Sequence, residues 1–482
     1  MWRDVTGFRK DGLSKESARR AGWIGVACRS VMLSAMLSMM LAACDARGTS
    51  EDGAAVSTKA ATAAAAANAS GAQTQKVSSA DGASAVPAGG QTRAQVFESV
   101  RKMTAVGKQL FFDPSLSGSG KLACASCHSP QHAFGPPNAL SVQLGGHDMR
   151  QQGLRAAPNI KYLQNVPAFT EHYHDSDDEG DESVDAGPTG GLMWDGRVNS
   201  AHAQASFPLT SSFEMGSNPR KVAAAVKAAP YAAQFRDAFG EQVFDNDDAT
   251  FKAVLQALEV FEQTPELFYP YSSKYDAYLA GKAQLTKAEM HGLQLFNDEK
   301  KGNCASCHLS QRALDGAPPA FTDFGLIAIG VPRNRALPAN RDSHFYDLGA
   351  CGPERTDLKG RDEYCGIFRT PTLRNVALRK TFFHNGIYHS LEDVVRFYVQ
   401  RDTNPEKFYP VVKGKVQKFD DLPKKYWANL NTDPPFDRKP GDKPPMDESE
   451  IKDVVAFLKT LTDGYRPDAP DQHADAHLVS SK

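Results

Sequence analysis

Two pentapeptides of identical sequence, Cys124-Ala-Ser-Cys-His128 and Cys304-Ala-Ser-Cys-His308, hold four of the chain's 8 cysteines. Two thiols three residues apart, followed at once by an imidazole, are what covalent attachment of a c-type haem requires. The sulfurs of Cys124 and Cys127, and of Cys304 and Cys307, would add to porphyrin vinyl groups, while His128 and His308 bind iron. A CxxC pair can also serve zinc or thiol redox chemistry. Neither pair here has a second CxxC with which to build a zinc tetrad. The reading is two covalently bound haem c groups.

The remaining chain must position those irons. The approach to each motif repeats: Gly107-Lys-Gln-Leu-Phe-Phe-Asp113 before the first, Gly292-Leu-Gln-Leu-Phe-Asn-Asp298 before the second. Val96, Val100, Met103 and Val106 fall on one face of a helix ahead of the first site. Leu285, Met290, Leu293 and Phe296 do so, more loosely, ahead of the second. A closing helix is legible at Glu450–Leu461, with Ile451, Val454, Val455, Leu458 and Leu461 in register. Strand signals are sparse. The expected fold is mainly α, with two cytochrome c-like haem domains and long loops, at residues 94–285 and 286–470, and a tail at 471–482.

The flanks carry a different message. Arg19, Arg20 and Arg29 precede an apolar run, Val31–Ala43, too short for a membrane span and suited to a signal peptide. It ends Leu41-Ala42-Ala43-Cys44, which resembles a bacterial lipobox with Cys44 as the lipidated residue. Residues 1–44 therefore read as a signal peptide with lipobox. Residues 45–93, rich in Ala, Ser, Gly, Thr and Gln, read as a disordered linker, because they bury too little apolar surface to offset ordering entropy. A periplasmic protein held to a membrane by an N-terminal lipid is the expectation. The formal net charge of −2 offers no basic face for nucleic acid. In such an oxidising compartment the leftover Cys351 and Cys365 are expected to form a disulfide, two free buried thiols being the alternative.

Between the haem motifs lies Leu192-Met-Trp-Asp-Gly-Arg197, then Gln204, Pro208 and, in Phe213-Glu-Met-Gly216, Glu214. With these residues the chain resembles the bacterial di-haem cytochrome c peroxidase and MauG family across nearly all of residues 95–465. That family has a tryptophan between its haems, followed by a glutamine, a proline and a glutamate in the peroxide pocket. Trp194, Gln204, Pro208 and Glu214 match the spacing. The resemblance implies hydrogen peroxide as substrate at an open His128 haem. Glu214 would move protons, Gln204 would orient peroxide or water, Pro208 would restrict the pocket, and Trp194 would relay electrons.

The second haem's remaining ligand has two candidates. Phe383-His-Asn-Gly386 resembles a family signature, and fourteen residues beyond that histidine the peroxidases carry methionine and MauG tyrosine; here stands Tyr398. Ser390-Leu-Glu-Asp393 can cap a helix on which Leu391, Val394, Val395 and Tyr398 share the inward face. Met446, in Pro444-Pro-Met-Asp447, is the alternative ligand. Tyrosine lowers the potential and favours MauG-like sharing of oxidising equivalents; methionine raises it and suits an electron-entry port. The resemblance further implies an electron donor, a small c-type cytochrome, cupredoxin or other protein, or in the MauG manner a protein whose side chains are oxidised. A non-catalytic di-haem electron carrier is the remaining alternative.

Two places depart from the pattern. His147, in Gly145-Gly-His-Asp148, lies where some relatives have a histidine that caps the first haem until reduction opens it. The family's calcium site uses an asparagine two residues before a proline; here Ala156-Ala157-Pro158 is followed by Asn159, which puts calcium in doubt. The acidic run Asp175–Asp185 reads as a solvated insertion.

Overall fold

The computed structural model describes residues 92–174 and 185–467. Cys44, the linker, most of the acidic run and the 471–482 tail lie outside the described residues. The described residues belong to one compact unit, helix-rich with few and short strands.

Eleven α-helices are present among the described residues: α1 Arg93–Phe111, α2 Cys124–Cys127, α3 Ala201–Thr210, α4 Pro219–Ala228, α5 Ala232–Phe239 and α6 Asp247–Glu262. Further along lie α7 Pro265–Phe268, α8 Lys274–Leu279, α9 Lys287–Asn297, α10 Leu391–Gln400 and α11 Glu448–Lys459. Three antiparallel pairs of two-residue strands complete the regular structure. Leu144–Gly145 (β1) pairs with Gln151–Gln152 (β2), Leu326–Ile327 (β3) with Phe368–Arg369 (β4), and Val411–Val412 (β5) with Lys415–Val416 (β6). The helices that carry packing begin with side-chain caps: Thr92, Ser200, Asn246, Thr286, Ser390 and Asp447 each accept a bond from a first-turn N–H.

The apolar interior falls into clusters. One draws on residues 106–268, centred on Val106, Leu110, Phe111, Val254, Leu258 and Phe261, where α1 crosses α6. A second draws on residues 275–461, with Phe296, Ile451, Val454 and Phe457 where α9 crosses α11. The two crossings are built alike. A Cβ on Gly107 would sit 2.0 Å from the Ala257 carbonyl oxygen and 2.8 Å from Phe261 Cβ. A Cβ on Gly292 would sit 1.9 Å from the Asp453 carbonyl oxygen and 2.9 Å from Phe457 Cβ. The repeated glycine thus lets each entry helix touch the backbone of its partner, which no larger residue permits. A third cluster, around Tyr364, Ile367 and Tyr426, holds Cys351 and Cys365, which are joined as a disulfide with S–S 2.04 Å.

The α1 stripe needs one correction. Val106 is buried, but Val96 and Val100 are 44% and 42% exposed. Only the second half of the helix meets α6 closely, so the apolar spacing of its first turns finds no cover among the described residues. The α11 stripe is buried throughout, Ile451 to Leu461. That helix starts at Glu448, two residues before the expected Glu450, because Asp447 caps it and exchanges a reciprocal bond with Glu450.

Candidate active site: two cavities and a shared tryptophan

The first cavity offers about 470 Å³ of water-accessible space. α2 places Cys124 and Cys127 on its wall, with His128 immediately after them. His128 Nδ1 lies 3.1 Å from the Phe134 carbonyl oxygen, an acceptor, so the proton sits on Nδ1 and Nε2 keeps its lone pair. Burial pulls this imidazole down to about 4, and it is neutral at working pH. The second cavity repeats the arrangement, with about 210 Å³. It is lined by Cys304, Cys307 and His308, and the Nδ1 of His308 lies 2.9 Å from the Phe321 carbonyl oxygen. All four thiols are unbonded, and burial pushes those of Cys124, Cys127 and Cys304 up to about 12.

These features fit haem c. Free thiol pairs, an oriented imidazole with an open Nε2 and a largely apolar slot are the required parts. Buried polar atoms without partners add to the fit. Arg369 Nη1 is one, on the wall of the second cavity, and its guanidinium is drawn down to about 10 by burial alone. Such a donor suits the carboxylate edge of a porphyrin.

Trp194, Gln204, Pro208 and Glu214 all line the first cavity. Gln204 and Pro208 stand one turn apart on α3 and share a face. Pro208 cannot donate to the Gln204 carbonyl, so the helix bond that would join them is missing. Just past α3 the chain turns tightly: the Glu214 amide donates to the Ser211 carbonyl at 3.1 Å, and Met215 to Pro208 at 3.0 Å. The β1–β2 hairpin presses on that turn, with Gly146 donating to the Glu214 carbonyl at 2.7 Å. A Cβ on Gly145 would lie 2.5 Å from the carbonyl oxygens of both Phe213 and Glu214. Glycine is required there by close approach of backbones.

The Glu214 side chain is exposed where it opens onto the cavity. Burial, then the charge of Glu354, push its carboxyl up to about 7, against the opposing pull of Arg197. A carboxyl at that level both releases and accepts protons near neutral pH.

Trp194, Met193 and Pro158 line both cavities. The indole Nε1 donates to the Ala156 carbonyl at 2.8 Å, and the Trp194 carbonyl accepts from the Arg369 amide of β4 at 2.7 Å. One short contact thus holds the ring and the other its backbone.

In the second cavity both candidate ligands are present. Ser390 caps α10, and Leu391, Val394, Val395 and Tyr398 face the second apolar cluster, as the spacing predicts. Tyr398 is half-buried with its ring stacked on Phe436 at 5.6 Å, whereas Met446 is 2% exposed. Burial pushes the Tyr398 phenol well up. His147 is exposed and is not among the first cavity's lining residues. Asn159 accepts from the Lys161 amide at 2.8 Å. Among the described residues no cluster of three or more His, Cys, Asp or Glu side chains is arranged around a metal position.

Arg155, Glu262 and Glu354 are cavity residues that sequence reasoning missed, whereas His384 belongs to a motif it singled out. Arg155 ties Asp347, through two bonds of 2.7 Å, to the fully buried Asp195 at 2.7 Å. Glu262, the last residue of α6, lines the first cavity. His384, of the Phe383-His-Asn-Gly386 motif, stacks on Phe368 at 3.7 Å within the second. Spacing alone carries no signal for Arg155 or Glu354, since their partners are distant in sequence.

Comparison with known proteins fits this geometry. The family model for di-haem cytochrome c peroxidase matches residues 101–284. Methylamine utilization protein MauG of Paracoccus denitrificans is 30% identical over 397 residues, covering 78% of this chain and 92% of that one. Cytochrome c551 peroxidase of Nitrosomonas europaea is 27% identical over 367 residues, covering 76% and 81%. Among solved structures, the diheme peroxidase BthA of Burkholderia thailandensis shares 38% sequence identity over 75% of this chain and 86% of its own, with a TM-score of 0.66. With its two CASCH cavities and their shared tryptophan, the chain belongs to the di-haem cytochrome c peroxidase and MauG family of oxidoreductases.

Proposed function

We propose that the protein is a periplasmic di-haem c-type peroxidase that reduces hydrogen peroxide in the first cavity and receives electrons through the second. One observation carries this reading: a single cavity joins the Cys124–His128 motif to Gln204, Pro208 and Glu214, and Trp194 is common to both cavities. Haem c held by Cys124, Cys127 and His128, and by Cys304, Cys307 and His308, would supply the redox-active iron at each place.

The chain's own residues supply the rest. The Glu214 carboxylate takes the proton that peroxide must lose, then returns it to the departing oxygen. Its elevated proton affinity suits both roles. The Gln204 amide orients the peroxide, and Pro208 limits the room around it. Trp194 passes electrons between the cavities. Tyr398, on the wall of the second cavity, would hold that haem through its phenol oxygen, and Met446, packed in the core, would be the competing donor.

The same core would also serve MauG-like oxidation of a partner protein's side chains, which the likeness to MauG favours. Lipidation at Cys44 would hold the protein at a membrane facing its donor. The test is a ferric spectrum and turnover of the purified holoprotein. A high-spin haem and peroxide turnover with a reduced small cytochrome c or cupredoxin are expected. Two low-spin haems in every redox state would leave a plain electron carrier.

A further inference from the structure

Glu354 belongs to the second half of the sequence yet lines the first cavity. Its loop is anchored on either side. Three residues before it, Cys351 is bonded to Cys365. Immediately after it, Arg355 donates Nη1 to the Asp195 carbonyl at 2.8 Å and stacks on Phe169 at 3.8 Å. The carboxylate itself is gripped by two guanidiniums, with Oε2 3.0 Å from Arg197 Nη1 and 3.4 Å from Arg155 Nη1.

Those guanidiniums are already engaged. Arg155 spans Asp347 and Asp195 at 2.7 Å each, and Arg197 meets Asp195 at 2.7 Å. Two cations thus face three carboxylates, so Glu354 leaves the cluster with an excess negative charge on the cavity wall. Its side chain remains 20% exposed, while Asp195 and Asp347 are 0% and 7% exposed. Of the three carboxylates, Glu354 is the one that lines the first cavity.

We propose that Glu354 is a positioning residue of the peroxide site, a second carboxylate that governs when Glu214 holds its proton. This rests on the peroxidase reading of Glu214 given above. The charge of Glu354 opposes ionisation of Glu214 across the cavity, and Arg197 shields the pair in part. The other titratable and charged groups facing Glu214 are Cys127 and His128 of the first CASCH motif, Glu262 of α6, and Arg155. In the holoprotein Cys127 would be a thioether and His128 an iron ligand, so neither would carry a titratable charge. Glu262 is raised to about 8 by burial, and Arg155 is committed to Asp347 and Asp195. Glu354 is therefore the group whose removal changes the field at Glu214 most.

The experiment uses full-length holoprotein and two readouts: the pH profile of kcat/KM for hydrogen peroxide, and infrared titration of the carboxylic-acid band that Glu214→Gln abolishes. Glu354→Gln and Glu354→Ala should each move the acid inflection and the infrared midpoint down by about one pH unit. Glu354→Asp should restore both. Asp357→Asn, which frees Arg355 on the same loop without touching the cavity charge, should move neither. An unmoved midpoint in whichever of the Gln and Ala variants folds overturns the inference, as does an equal shift in Asp357→Asn. An acid limb that persists in Glu214→Gln overturns instead the assignment of Glu214 as the proton-handling group. The two failures are thus distinguishable.

Discussion

The indole of Trp194 is tied to Ala156, Nε1 donating to the carbonyl at 2.8 Å, and the ring stands on the wall that the two cavities share. Ala156 is itself pinned, its amide donating to the His384 carbonyl at 2.6 Å. The ring therefore cannot swing without breaking a chain that runs from the first cavity to the second.

Replacing Trp194 by Phe keeps a planar apolar ring and removes both the N–H and the easily ionised indole. Steady-state peroxide turnover should fall at least about tenfold, equal to some 1.4 kcal/mol in the limiting barrier. The rate at which peroxide reacts with pre-reduced enzyme should barely change, since Gln204 and Glu214 are untouched. Stopped-flow and steady-state rates measured on one preparation check the split. Equal losses in both would show a packing role only.

Tyr398 and Met446 make opposite predictions about the second haem. Tyr398→Phe keeps the ring that stacks on Phe436 and removes the oxygen, so the low-spin spectrum of that haem should be lost or altered. Met446→Leu should leave the spectrum in place and cost about 1 kcal/mol of stability, as a volume-conserving change within the second cluster. Reversal of the two outcomes would assign the ligand to Met446.

Much of this was legible in the sequence where a local rule decided the outcome. The Ser390 cap, the α11 stripe and the Cys351–Cys365 bridge all stand as spacing suggests, and each CASCH pentapeptide lines a cavity of its own. Trp194, Gln204, Pro208 and Glu214 do meet in one cavity. What was not legible depends on contacts between distant segments. Val96 and Val100 carry the right period but lack a partner to cover them. Glu354 and Arg155 look like ordinary surface charges until folding brings loops some 160 to 200 residues apart to one wall.

The repeated glycine is another such case: the repeat is obvious, its reason is not. Gly107→Ala and Gly292→Ala each force a methyl group to within 2.0 Å of a carbonyl oxygen on the crossing helix. Backbone rather than a flexible side chain is the obstacle, so the helices must part. Each change should cost about 2–3 kcal/mol. Thermal unfolding of the holoproteins should show lowered midpoints for both. Gly281→Ala, where nothing lies within 4 Å of the added atom, controls for simple loss of glycine, though its positive φ adds a small strain of its own.

Glu262 offers a pH test of stability that is separate from turnover. It ends α6, where the helix dipole disfavours an anion, and burial followed by the charge of Glu259 raises its carboxyl to about 8. The unfolded chain holds this proton only below its ordinary value of 4.5. Between those two pH values the native state binds more protons than the unfolded state, so the group's contribution to stability falls as pH rises. Below about 4.5 the carboxyl is protonated in both states and contributes no pH dependence. Glu262→Gln mimics the protonated native form and cannot ionise on unfolding. The variant should therefore lose this part of the decline in midpoint between pH 5 and 8 and gain relative to the parent at the alkaline end. Its kcat/KM profile should keep the Glu214 inflection near 7, because Glu262 is largely protonated at that pH and puts little charge on Glu214. A parent and variant with parallel stability curves across that range would show that Glu262 ionises normally in the folded protein.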